Sequence, residues 1–176
     1  MYKDASVGKR VLAFILDAII VAAISFLFLE ILVGKELMEI NKIIDDFANG
    51  VIDSEEYLSQ IMNAYYSVLP KTTLISLGFA FVYYVVLAFF LNGATLGKKI
   101  CKIKVIKDGE DKATFGSLVI RELVMKYLVN TFTCGILNLI SLIKILVSDD
   151  KRAIHDLAGS TRVVADEKEV FDVLDV

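Results

Sequence analysis

One acidic residue stands where an apolar helix should tolerate none. Asp17 interrupts the run Val11 to Val33, about two turns inside it. An ionised side chain at that depth in lipid costs roughly 2.5–3.5 kcal/mol unless it is paired or hydrated. Arg10 precedes it by seven residues, on the same helix face but about 10 Å away along the axis, too far for a close pair. Each is therefore expected to meet a group on another helix: Arg121, Lys126 or Lys144 for Asp17, and Asp156 for Arg10. Two kinds of chemistry fit. Cation or proton exchange at Asp17 needs a carboxylate whose pKa is raised by burial and lowered by a competing cation, Arg121 or Lys144. A permanent buried ion-pair network that fixes helix register needs only that the groups stay together.

Other combinations exclude more than they offer. His155-Asp156 has the residue types of a catalytic pair, but no Ser or Cys nucleophile stands beside it. It reads as capping beneath the helices. A single histidine argues against a histidine metal cluster, and no cofactor motif is present, so neither a metal nor a cofactor is expected and the chain is not read as an enzyme. Cys101 and Cys134 are far apart in unlike settings, which reads as apolar packing rather than a disulfide. The run Gly93-Ala94-Thr95-Leu96-Gly97-Lys98-Lys99 resembles a phosphate loop only at first sight, since its spacing differs and no strand precedes it. A Gly-rich exit from the membrane fits better, with Lys98, Lys99 and Lys102 on anionic lipid headgroups. No feature points to nucleic acid.

The elements that must position these residues are mostly membrane spans. The chain has 176 residues, of which 56% are hydrophobic, above the 45–50% usual for soluble domains. The excess is concentrated in three blocks. Val11 to Val33 and the uncharged Thr72 to Leu91 are each long enough to cross about 30 Å of hydrocarbon. Pro70 marks the entry to the second and Asn92-Gly93 its end. The first is read as a retained helix and not a signal peptide, because it is too long, is interrupted by Asp17 and lacks a small-residue cleavage site. Leu118 to Val147 carries Arg121, Glu122, Lys126 and Lys144 and is broken near Cys134-Gly135; it is expected to be two shorter helices, the first amphipathic, the second re-entering the bilayer.

Charge sets the expected orientation. Lys3, Lys9 and Arg10 flank the first span, and Lys98 to Lys112 follow the second, so both should be cytoplasmic. The connector between the spans is acidic and should lie outside. It reads as a helical hairpin, with Asn49-Gly50 ending one helix and Asp53 with Glu56 resembling a capping box for the next. Lys151, Arg152 and Arg162 favour a cytoplasmic C-terminus. Lys102 to Val105 and Thr161 to Val164 read as strands that pair, with Asp108-Gly109 as a turn. The last residues, Asp166 to Val176, are expected to fray.

The expected fold is thus an all-α membrane protein, a small bundle of transmembrane helices with a minor cytoplasmic strand pairing. Its segments are 1–33, an N-terminal piece and first span; 34–71, the acidic hairpin; 72–92, the second span; 93–117, a basic connector with a strand; 118–147, the broken pair; and 148–176, a tail with a short strand.

Four pieces together resemble the RDD family of bacterial membrane proteins, named for an arginine and two aspartates. They are Gly8-Lys9-Arg10 with Ala13 and Asp17; Gly93 to Lys99 with Lys104-Val105-Ile106 and Asp108-Gly109; Arg121 in an apolar helix; and His155-Asp156-Leu157-Ala158-Gly159 leading to Thr161-Arg162-Val163-Val164. The resemblance covers residues 6–33 and 72–165. It implies Arg10 as the family arginine and Asp17 and Asp156 as the aspartates. The acidic connector has no counterpart in that pattern, and Lys102 stands where the family often carries a glycine. The resemblance implies a protein of the bacterial cell membrane. Its members are mostly described as transporters, with cation/proton antiport proposed for some, and others act as membrane partners of other proteins. Transport would call for a homo-oligomer, because so few helices enclose no path alone. The alternative is a non-catalytic partner or regulatory subunit, docking another protein through residues 36–69.

Overall fold

The computed structural model describes residues 2–148 and 150–166. Most of the chain is helical. Helix α1 is Val7–Ala48. Helix α2 is Ser54–Phe90, with a π-helical stretch at Val82–Leu87. A short α3, Leu96–Ile100, leads into β1, Ile103–Lys107. Helix α4, Phe115–Phe132, is π-helical over Val119–Val129, and α5 is Ile136–Val147. A single turn, α6 (Ile154–Ala158), precedes β2, Thr161–Ala165. Both α1 and α2 are long and apolar enough to cross a membrane. The pair α4 and α5 passes the same test together but is bent by 118°, as the break near Cys134-Gly135 implies. Cys134 and Gly135 both take positive φ there, 49° and 84°.

The chain divides into two units. Residues 22–79 form one of them. The expected separate helix of the connector is not separate: α1 runs through residue 33 without a break, about 63 Å in all. Nothing in Gly34-Lys35-Glu36 interrupts the ladder, and the apolar spacing of Leu37 to Phe47 continues the helix already begun. Pro70 likewise sits inside α2, not at its entry. The turn between the helices is as the residues suggest. Gly50 takes φ 72°, Gly50 N–H donates to the Phe47 carbonyl at 3.1 Å and Val51 N–H to Asp46 at 2.8 Å, the bonding of a left-handed glycine cap. Asp53 Oδ1 accepts from the backbone N–H of Glu55 and Glu56, both at 2.9 Å. Glu56 does not close a capping box but takes Gln60 Nε2 at 3.0 Å. Phe28 meets Phe79 edge-on and Phe47 stacks on Tyr57. Lys71 reaches Glu36 at 2.6 Å. These contacts set the antiparallel register of the two strips.

The other unit is residues 1–21 with 80–176. Strands β1 and β2 pair antiparallel, Val105 opposite Val163 and Lys107 opposite Thr161. The N-terminal residues join the free side of β2, which sequence reasoning does not foresee: Ala5 N–H donates to the Val163 carbonyl at 3.0 Å and Ala165 N–H to Lys3 at 2.9 Å. Val85, Ala88, Ile103, Val105, Leu118 and Val163 are buried together. Small residues at Ala5, Ala13 and Ala88 let backbones approach there. The expected fraying of Asp166 to Val176 falls, beyond Asp166, outside the described residues. Asp166 itself is held, by Lys104 at 3.0 Å.

Candidate functional site

Two buried polar centres lie in the unit of residues 1–21 and 80–176. The first is built on Asp17, which is 3% exposed. Its Oδ1 accepts from the Tyr83 hydroxyl at 2.6 Å and from Gly97 N–H at 2.8 Å, and its Oδ2 from the Thr95 hydroxyl at 2.6 Å. The elements that deliver these donors are legible one by one. Thr95 is the extended residue before α3, so Asp17 supplies from another helix the acceptor that a capping side chain normally provides. Gly97 is required by proximity: a Cβ there would lie 2.5 Å from the Ala13 carbonyl oxygen and 2.7 Å from Asp17 Oδ1. A carboxylate surrounded by donors is stabilised without a counter-cation. The cations expected beside it, Arg121, Lys126 and Lys144, are committed elsewhere: the first two to the second centre, and Lys144 to Asp150 at 3.2 Å and the Arg152 carbonyl at 3.0 Å. The sequence argument failed because it sought a charge to balance a charge, where neutral donors from Tyr83 and the Gly93–Lys99 segment suffice.

The second centre joins Arg10, Arg121, Glu122 and Asp156. Arg121 Nη1 donates to Asp156 Oδ1 and, at 3.1 Å, to the Thr161 hydroxyl. Its Nε donates to Glu122 Oε1 at 3.0 Å. Asp156 Oδ2 takes Ala153 N–H at 2.9 Å and Arg10 Nη1 at 3.3 Å. Arg10 also reaches the carbonyls of Ala5, Lys151 and Val163, so one guanidinium ties the N-terminus to the last strand. Glu122 Oε1 takes a second cation, Lys98 Nζ, at 2.9 Å. The Lys126 ammonium lies 2.9 Å from Oε2, a third cation on the same carboxylate. Burial alone would raise the Asp156 pKa; Arg121 and Arg10 outweigh it and hold the carboxyl below its ordinary range. Burial, with Lys126 and Arg121 nearby, pushes the His155 imidazole well below its ordinary range, so it stays neutral.

The sequence brings together five of its candidates here: Arg10, Arg121, His155, Asp156 and, unexpectedly, Lys98. Lys98 does not face headgroups. It is 7% exposed, drawn in by Glu122, which sequence reasoning left without a role. Lys99 is partly exposed and 3.7 Å from Asp166, and Lys102 is exposed. Tyr83, Thr95, Glu122 and Thr161 were missed as site residues. Thr95 carried a signal, as the polar residue before a helix; Tyr83 carried none, being one of two adjacent tyrosines in an uncharged span. Among the described residues no group of three or more His, Cys, Asp or Glu is placed to hold a metal.

The model of the RDD family matches residues 4–160. The chain belongs to the RDD family. Two Bacillus subtilis (strain 168) proteins are similar to this RDD protein. The uncharacterized protein YckC is 35% identical over 82 residues, 47% of this chain and 54% of YckC. The uncharacterized protein YxaI is 32% identical over 167 residues, 93% of this chain and 99% of YxaI. The chain thus aligns with about half the length of YckC and nearly all of YxaI. No solved structure matches it. Arg10 and Asp156 touch one another in the second centre, whereas Asp17 is the hub of the first. Lys102 has φ 54°, the backbone conformation that favours glycine.

Proposed function

We propose that this RDD protein is a non-catalytic membrane subunit that binds another protein, inserted in the bacterial cell membrane with its N-terminus cytoplasmic. The observation that carries this reading is the closure of Asp17: both oxygens are occupied by donors of the chain itself, so the carboxylate serves as a structural clasp. The basic flanks and the acidic connector support the orientation. The connector also supports docking, since Tyr65, Tyr66, Leu58 and Met62 are exposed on its second strip and exposed apolar faces mark contact surfaces. Mild-detergent purification should recover a stoichiometric protein partner that is lost when residues 36–69 are deleted. Recovery of the same partner from the deletion variant sinks the docking reading.

A second reading, transport of a small cation coupled to protons, is favoured by one observation. Glu122 is 2% exposed and its Oε2 faces the partly exposed Lys126 ammonium at 2.9 Å, a buried carboxylate–ammonium pair that a passing cation would have to open. A homo-oligomer would supply the rest of a path. Purified protein in sealed vesicles decides between the two: cation- or pH-driven flux that disappears with Glu122→Gln supports transport, and no flux from the wild type removes it.

A further inference from the structure

The second polar centre is not electrically balanced. Among the described residues, Arg10, Lys98, Arg121 and Lys126 converge on two carboxylates, Glu122 and Asp156. Asp17 belongs to the other centre, with its oxygens taken by neutral donors. His155, on the turn packed against α4, adds no positive charge at neutral pH, because burial and its cationic neighbours keep it unprotonated. Among the described residues two of these four charges lack a carboxylate of their own within the cluster, the exposed Asp4 acting on Arg10 only from outside it, and burial makes an unbalanced charge expensive.

The excess has an outlet. The side chains of Arg10, Lys98 and Arg121 are 9%, 8% and 2% exposed, and all their carboxylate partners lie within the cluster. Lys126 is 23% exposed, and its carboxylate partner, Glu122 at 2.9 Å, is shared with the buried Lys98 and Arg121. Glu122 and Lys126, in the π-helical stretch Val119–Val129, and Asn130 just after it are spaced four residues apart, which keeps them on one side of α4. Asn130 Oδ1 is also buried without a partner among the described residues. A cation and an orphaned acceptor therefore stand one turn apart.

We propose that Lys126 and Asn130 form a binding site for the headgroup of an anionic phospholipid, whose phosphate neutralises the excess charge of the cluster. The phosphate accepts from the Lys126 ammonium, and turning the Asn130 side chain outward to another rotamer brings its Oδ1 to a headgroup hydroxyl donor. Charge complementarity selects the occupant, and a bilayer presents anionic phospholipid at far higher local concentration than any dissolved anion. The site is separate from the exposed Lys102, and it does not depend on whether the protein transports or docks.

Full-length protein in nanodiscs of phosphatidylcholine, with or without phosphatidylglycerol, tests this. Wild type should retain at least one phosphatidylglycerol through native mass spectrometry and unfold at a higher temperature in the anionic discs. Lys126→Gln should lower the preference for phosphatidylglycerol over phosphatidylcholine about fivefold. Lys126→Arg and Lys102→Gln should keep it. Equal retention of the two lipids by the wild type overturns the proposal, and that comparison decides it even where Lys126→Gln does not fold. Undiminished preference in a folded Lys126→Gln also overturns it, as does loss of the bound lipid on adding inorganic phosphate, which would mark a free-anion site.

Discussion

Removing the side chain of Asp17 should separate a structural clasp from an exchange site. Asp17→Ala leaves the Tyr83 hydroxyl, the Thr95 hydroxyl and Gly97 N–H without their acceptor. Each buried orphan costs about 1–3 kcal/mol, so the three together cost about 6 kcal/mol, comparable with the whole stability of an ordinary domain. Asp17→Asn behaves differently. Its carbonyl still accepts from Tyr83 and Gly97, and its amide faces a Thr95 oxygen able to accept instead. Only the assistance of the charge is lost, about 1 kcal/mol per bond or about 3 in total. The assay is thermal unfolding of detergent-solubilised protein followed by circular dichroism, with membrane yield as a second reading. The expected order is wild type, then Asn, then Ala. An alanine variant within 1 kcal/mol of wild type, or one more stable than the asparagine variant, refutes the reasoning.

Further outcomes follow from the same geometry. Gly97→Ala drives a Cβ to 2.5 Å from the Ala13 backbone and should cost about 1–3 kcal/mol, whereas Gly116→Ala, with nothing within 4 Å, should be neutral or slightly stabilising in the same melt. Because the His155 pKa is lowered in the folded state, the unfolded chain binds the extra proton below about pH 6.5, and stability falls as pH falls. One unit below that point the loss is about 1.4 kcal/mol, and a His155→Asn variant should lack this part of the pH slope. Lys102→Gly should raise stability by about 0.5–1 kcal/mol, since φ 54° is strained for lysine and free for glycine; a lower melting temperature counts against strain there.

The parts of the fold set by local pattern could be read directly. Twenty uncharged residues from Thr72 fix a helix, Asn49-Gly50 fixes the turn, and alternation about Ile103 and Val163 fixes two strands that do pair. Helix ends were read poorly where the only signal was a change of solvent: α1 does not stop at Val33, because a helical ladder is indifferent to where lipid would end. Pro70 misled for a related reason, since an imino residue inside a long helix costs one bond but does not end it when packing holds both sides. In the polar centres, the contact of Arg10 with Asp156 was legible from charge and position. Asp17 was given the wrong partners because its actual ones are neutral, and donors such as Tyr83 and a backbone N–H leave no trace in a charge pattern. Lys98 was misplaced because its partner, Glu122, sits on a helix whose π-helical winding shifts which residues face inward.

The clasps join points far apart along the chain. Asp17 meets Tyr83, Thr95 and Gly97, 66 to 80 positions later, and Arg10 meets Asp156, 146 positions later. A ribosome therefore releases the first helix long before any of its polar partners exists. Its carboxylate stays unanswered until residue 97 is made, and its guanidinium until residue 156. A chain interrupted before residue 156 leaves Arg10 without its carboxylate and Arg121 with Glu122 alone.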